Sequence, residues 1–304
     1  MLPDFMPRPP PMLAPERDAA WSAPSGLAAD ARVETAAGPC PAGALLPGAL
    51  LRTVDGGWRM LRRVTALPAG PTDLLAVAAG VMAEGVPARP LSLCRGQALL
   101  IEGAVWPACF LEDGAGVAAY PVALPCVRLE TDAPCAFLAE GVACVSDAPS
   151  GRPAPDAALA RVRAAIGARA GRRYGALEGA VEHVAADGVE GWVRDSAMPG
   201  APVLLALLRD GVTVAHGFAD RARPDLAMIG LGACAFRFAM DGPAQDTHLL
   251  ELRRAEDGAP VPGGMALLRR GVGDPDMPAT AEAIAAALAA LTRARLRRGK
   301  SVPR

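Results

Sequence analysis

Apolar residues along this chain come mostly in short runs cut by turn residues, not at the three-and-four spacing of a helix face. Runs at 98–101, 117–122 and 136–139 have strand length. Between such runs stand Asp55-Gly56-Gly57, Leu67-Pro68-Ala69-Gly70, Glu102-Gly103, Asp113-Gly114 and Glu140-Gly141. Strands of this size at close spacing predict an all-β unit over 36–146. Residues 1–35 are rich in proline, alanine and charge without a period, and are expected to be a flexible leader.

The pattern changes at 147–173. Ser146-Asp147-Ala148-Pro149-Ser150-Gly151-Arg152-Pro153 is loop chemistry, and an Ala/Arg-rich stretch follows at 157–170. Leu159, Val162 and Ile166 there share one face of a short linker helix. A second strand-and-turn unit is expected over 174–272. Its runs at 203–208 and 212–216 flank Arg209-Asp210-Gly211, a hairpin signal, and 235–240 and 248–252 read as further strands. The stretch 278–300 predicts an Ala/Arg-rich C-terminal helix closing on Arg293, Arg295, Arg297, Arg298 and Lys300, cations that suit a helix C-terminus. A solvated or docked helix is expected there, with an anionic partner or membrane surface as the alternative. The fold class is therefore mainly β, as two β units joined by a short helix and ending in another.

Composition narrows the function. The 304 residues are 52% hydrophobic and 21% charged, with 4% aromatic, so the cores rest on Ala, Val and Leu. A net charge of −1 argues against a nucleic-acid binder. The most apolar windows, 74–83 and 284–291, are shorter than the ~20 residues of a spanning helix. The first residues, MLPDFMPRPPPMLAP, have no apolar core of a secretory signal. A cytoplasmic location is expected, with export by another route left open. Seven cysteines show no C-x-x-C or metal spacing and read as small buried hydrophobes in a reducing compartment. His183, His216 and His248 are the only histidines. His216 and His248 lie by apolar runs without acids or cysteines at ligand spacing, so no metal and no cofactor is expected.

The segment 86–103, VPARPLSLCRGQALLIEG, resembles a central block of the bacterial Hint (Hedgehog/intein) domains, V-P-A-R-D-L-x-V-S-P-x-H-x-L-L-x-D-G. On either side, 46–57 (LPGALLRTVDGG) is similar to L-x-P-G-D-x-V-x-T-x-D-G-G, and 127–141 (VRLETDAPCAFLAEG) to Y-H-V-E-L-D-x-H-x-x-L-L-A-E-G. The resemblance implies an all-β horseshoe that activates its own backbone. A leading Cys or Ser attacks the preceding carbonyl while a histidine protonates the leaving nitrogen. Here the block histidine falls on Gln97 and the nearby Ser on Cys94. The two later histidines fall on Arg128 and Pro134, while Glu130 and Asp132 are kept. The family's C-F-x-x-G-T opening strand has its nearest counterpart at Cys40. With no asparagine anywhere and no histidine before His183, the resemblance implies a degenerate Hint domain.

Residues 174–268 resemble a β-sandwich module found beside alphaproteobacterial glycosyltransferases, through Gly191-Trp192-Val193-Arg194-Asp195, Asp210-Gly211, Arg223-Pro224-Asp225-Leu226 and 230–238 (GLGACAFRF). Trp192, Arg223 and Asp225 are expected as a core anchor and a corner, or else as a sugar-binding set. Glu178, Glu182 and Glu190 precede different strands and form no catalytic pair. The expected function is a non-catalytic interaction or binding protein, with protein or polysaccharide as partner. The alternatives are self-cleavage by a cysteine (Cys40 or Cys94) and carbohydrate binding at a bacterial surface.

Overall fold

The computed structural model describes residues 23–68, 74–146, 153–185, 187–240 and 248–268. The protein is mainly β. The first unit comprises β1 (Leu27–Ala28), β2 (Arg32–Val33), β3 (Cys40–Pro41), β4 (Leu50–Arg52), β5 (Trp58–Leu67), β6 (Leu74–Val77), β7 (Leu91–Cys94), β8 (Ala98–Ile101), β9 (Ala104–Pro107), β10 (Val117–Ala119), β11 (Cys126–Thr131), β12 (Ala136–Ala139) and β13 (Val142–Val145). Helix α1 (Ala157–Arg169) leads to β14 (Leu177–Ala185), β15 (Gly188–Asp195), β16 (Val203–Arg209), β17 (Val212–Ala219), the short α2 (Pro224–Met228), β18 (Ala235–Ala239), β19 (His248–Arg254) and β20 (Pro260–Leu268). The expected C-terminal helix at 278–300 lies outside the described residues.

The first unit holds two antiparallel sheets, ordered β10-β6-β7-β1-β11-β5-β4 and β3-β2-β12-β13-β8-β9. Single bridges, Thr35 to Leu51 and Thr53 to Phe137, tie one to the other. The second unit packs β14-β15-β18 against β17-β16-β19-β20, with Val189, Val193, Leu205, Leu207, Phe236, Phe238 and Leu252 between them. Three tight hairpins follow from local chemistry. Glu102-Gly103, Glu140-Gly141 and Asp210-Gly211 all have positive φ at both residues, the backbone of the two-residue turn that matches strand twist.

The stretch 27–35, within the expected flexible leader, is part of the sheets. Leu27 pairs with Leu93 on one side and Val127 on the other, so β1 is an interior strand. Its two residues are fully buried. A two-residue strand has no periodicity of its own, which is why composition alone reads this stretch as leader.

Helix α1 starts where the Asp156 carboxylate accepts the Leu159 N–H at 2.9 Å. Leu159, Val162 and Ile166 are buried against the first unit's core. Arg163, on the same helix, is 0% exposed and joins the two units. Its Nε donates to Glu256 at 2.7 Å, Nη1 to the Phe110 and Glu112 carbonyls at 2.8 and 2.6 Å, and Nη2 to the Pro202 carbonyl at 3.0 Å. Beside it, Asp195 accepts from Arg254 at 2.8 Å and from Arg172 at 3.3 Å, and both guanidinium groups lie over the Tyr174 ring. Leu204 and Phe218 of the second unit belong to the first unit's core, with the Phe218 ring 4.9 Å from that of Phe110.

His216 is partly buried on β17, and burial pushes its imidazole below the usual 6.5 against the pull of Asp156. The unfolded chain therefore binds this proton more readily than the folded one. Stability contributed by neutral His216 is complete above 6.5 and declines as pH falls from there toward the depressed folded value. The urea midpoint should be lower at mildly acidic than at mildly alkaline pH, and His216→Gln should flatten that dependence. An unchanged slope in the variant would refute the assignment.

Candidate functional site

Two of the positions where the Hint resemblance expects histidine converge on one backbone segment, residues 23–26. Gln97 is buried in the turn between β7 and β8, where its own N–H donates to the Cys94 carbonyl. Its side-chain Oε1 accepts the Ser25 hydroxyl at 3.2 Å, and Nε2 donates to the carbonyls of Ala98 and Val145 at 2.9 and 3.0 Å. Arg128, exposed on β11, donates from Nε to the Ser25 carbonyl at 3.3 Å. Backbone groups complete the cradle: Gly96 N–H donates to the Pro24 carbonyl at 3.0 Å, and Cys94 N–H to the Gly26 carbonyl at 2.9 Å.

Glycine at 96 is required by this approach. A Cβ there would lie 2.2 Å from the Ala23 carbonyl oxygen, a backbone atom that cannot move aside cheaply.

The other sequence-derived candidates are not in the cradle. Cys40 is on β3, the far edge of the six-stranded sheet, four strand positions from β8, or about 19 Å at the usual spacing. Its thiol donates to the Pro41 carbonyl at 3.6 Å. The residues held in the cradle are instead Ser25 and Gly26, which sequence reasoning missed. Cys94 contributes its backbone, while its side chain is buried with Leu74 and Cys126. Asp132 and Pro134 are exposed in the β11–β12 connection.

All seven cysteines are described and none is in a disulfide. Burial pushes the Cys144 thiol up to about 12. Burial also raises Cys126, against the hydrogen bond from Cys94, and raises Cys234 against nearby Arg194 and Arg223. These thiols stay protonated near neutral pH and are poor nucleophiles.

In the second unit, Trp192 packs against the cluster of Leu226, Cys234 and Ala235, as does Leu231. Arg223 grips two carboxylates: Nε and Nη2 donate to Asp225 at 2.7 Å each, and Nη1 and Nη2 to Glu182. These groups therefore hold α2 against β14. Each acid weighed as a catalytic candidate is likewise ion-paired: Glu178 with Arg194, Glu182 with Arg223, Glu190 with Arg237. His248 Nδ1 lies 2.7 Å from Asp210 at the β16–β17 turn. Among the described residues no cluster of His, Cys, Asp and Glu could hold a metal ion, and no helix is long and apolar enough to cross a membrane.

No protein-family model and no curated protein matches the chain. Solved structures of inteins align with part of its length. The MchDnaB-1 intein variant is 17% identical, with a TM-score of 0.32 over 39% of this chain and 97% of the intein. The gp41-1 intein is 10% identical, with a TM-score of 0.32 over 40% of this chain and 98% of that one. The Msm DnaB1 intein splicing domain, solved with zinc, is 19% identical, with a TM-score of 0.32 over 39% of this chain and 98% of its own.

Proposed function

We propose that the first unit is a Hint-type β domain without self-processing activity, acting with the second unit as one non-catalytic binding protein. One observation carries this reading. Among the described residues, Gln97 and Arg128 stand where the resemblance expects histidine, and both hold the segment preceding β1 by hydrogen bonds. Peptide-bond scission there needs an acid that can protonate the departing amide nitrogen near neutral pH. A carboxamide has no such proton, and a guanidinium holds its proton too tightly to release it.

The hydroxyl of Ser25 supports a second reading. In self-cleavage, its Oγ would attack the Pro24 carbonyl carbon, whose oxygen already accepts the Gly96 N–H. The Pro24–Ser25 C–N bond would break, the hydroxyl proton would pass to the Ser25 nitrogen, and an ester would replace the amide. The cysteine-dependent version would need Cys40 or Cys94 in that place, and Cys40 is on β3 while the Cys94 side chain is buried with Leu74 and Cys126.

Intact mass decides between them. Full-length protein incubated with and without hydroxylamine is expected to keep one unchanged mass. A hydroxylamine-dependent fragment ending at Pro24, absent in Ser25→Ala, would overturn the non-catalytic reading and establish the second.

A further inference from the structure

The strands β4 and β5 form a hairpin at one end of the seven-stranded sheet. Their inner face follows the two-residue period: Leu51 and Leu61 are buried in the core. Polar residues would be expected on the outer face, yet it carries Leu50 opposite Met60 and Arg52 opposite Trp58. Leu46 opens the turn that leads into β4, in which Gly48 N–H donates to the Leu61 carbonyl at 2.8 Å.

Exposure is high throughout: 74% for Leu46, 44% for Leu50, and 42% for both Trp58 and Met60. Val54 at the hairpin tip is exposed as well. Half of the ten exposed large apolar side chains of the described residues thus gather in this one hairpin. Scattered exposed apolar residues need no explanation, whereas a contiguous patch marks a contact surface.

Charge identifies the partner. Between residues 46 and 67 there are four arginines, Arg52, Arg59, Arg62 and Arg63, against one acid, Asp55. All four are exposed, Arg52 and Arg62 on the outer face and Arg59 at an alternate position, in a chain whose formal net charge is −1. Arg52 and Arg63 meet Glu34 and Glu130 only at 3.8 and 3.7 Å, in exposed pairs that hold little energy. A second copy would bring two arginine-rich hairpins together, which disfavours self-association. Tryptophan, leucine and methionine beside arginines match the boundary of a bilayer. The apolar groups enter the headgroup–acyl region there while the long arginine stems reach the phosphates.

We propose that the outer face of the β4–β5 hairpin docks the protein onto a bilayer containing anionic lipid. The inference is independent of whether the cradle at Ser25 is catalytic.

Co-sedimentation of the full chain with phosphatidylglycerol-containing vesicles, and with pure phosphatidylcholine vesicles, tests it. Binding is expected on the anionic vesicles and to be weakened by salt. The double variant Trp58→Ala/Met60→Ser should lower the vesicle affinity about tenfold or more. Arg62→Glu, away from the Arg52–Glu34 and Arg63–Glu130 pairs, should also weaken it. Because these side chains are exposed, unchanged circular-dichroism melting of each variant shows that it still folds. Failure to bind anionic vesicles would overturn the proposal. So would binding that survives all three substitutions, which would assign the attraction to the arginines after residue 292. So would a dimer in analytical ultracentrifugation that Trp58→Ala dissociates.

Discussion

Arg163→Ala should destabilise the protein by about 3–5 kcal/mol, because it takes the nearer cation from the buried Glu256 carboxylate and leaves it only Arg172 Nη1, at 4.0 Å. The guanidinium is wholly enclosed and hydrogen-bonds Glu256 and the carbonyls of Phe110, Glu112 and Pro202. Removing it strands three acceptors in the protein interior as well as the charge. Each buried unpaired acceptor costs about 1–3 kcal/mol, so the charge is not the whole loss. Urea denaturation followed by circular dichroism measures the change. The double variant Arg163→Ala/Glu256→Ala should be less destabilised than the sum of the two single variants, since it removes the carboxylate that Arg163→Ala leaves with only the more distant Arg172. A loss of under about 1 kcal/mol would mean that water reaches the junction and that the ion pair there is of the weak, exposed kind.

The second large effect is expected from Phe110→Ala, at about 3–5 kcal/mol for a buried phenylalanine whose neighbours cannot fully collapse into the space. Phe110 lies in the single 3-10 turn Ala108–Leu111 after β9, with its ring centroid 6.3 Å from Trp106 and 4.9 Å from Phe218. Phe218 is on β17, so the cavity opens across the junction between the two units. One cooperative transition, shifted as a whole, is expected by both circular dichroism and tryptophan fluorescence. Two separated transitions, with only the first displaced, would show that the units hold independent cores.

The parts of the fold legible in sequence are those fixed by neighbouring residues. The Glu102-Gly103, Glu140-Gly141 and Asp210-Gly211 turns each declare a hairpin, because glycine and an acidic partner adopt the required positive φ. Leu159, Val162 and Ile166 mark the buried face of α1 in the same local way. Arg163, one turn along from Leu159, is invisible to that reasoning. Its partner Glu256 is 93 residues away, and an arginine on an Ala/Arg-rich helix reads as solvated. The cradle was half legible. Gln97 and Arg128 stand out in the sequence as occupants of histidine positions, but the segment they grip does not. Ser25 is 72 and 103 residues from Gln97 and Arg128, in a stretch without cysteine, so the C-F-x-x-G-T opening has its nearest sequence counterpart at Cys40 instead. The available signal was Leu27 within a small-residue stretch, and only strand pairing gives it meaning.

The interior position of β1 also dictates an order of events during synthesis. Leu27 pairs with Leu93 and Val127, so β1, the first of the described strands to leave the ribosome, can be enclosed only after β11 has emerged. Until then the seven-stranded sheet has no centre, and the edges of β7 and β11 that will receive β1 are open to wrong pairing. Such dependence on distant contacts slows folding and exposes unfinished strands to aggregation.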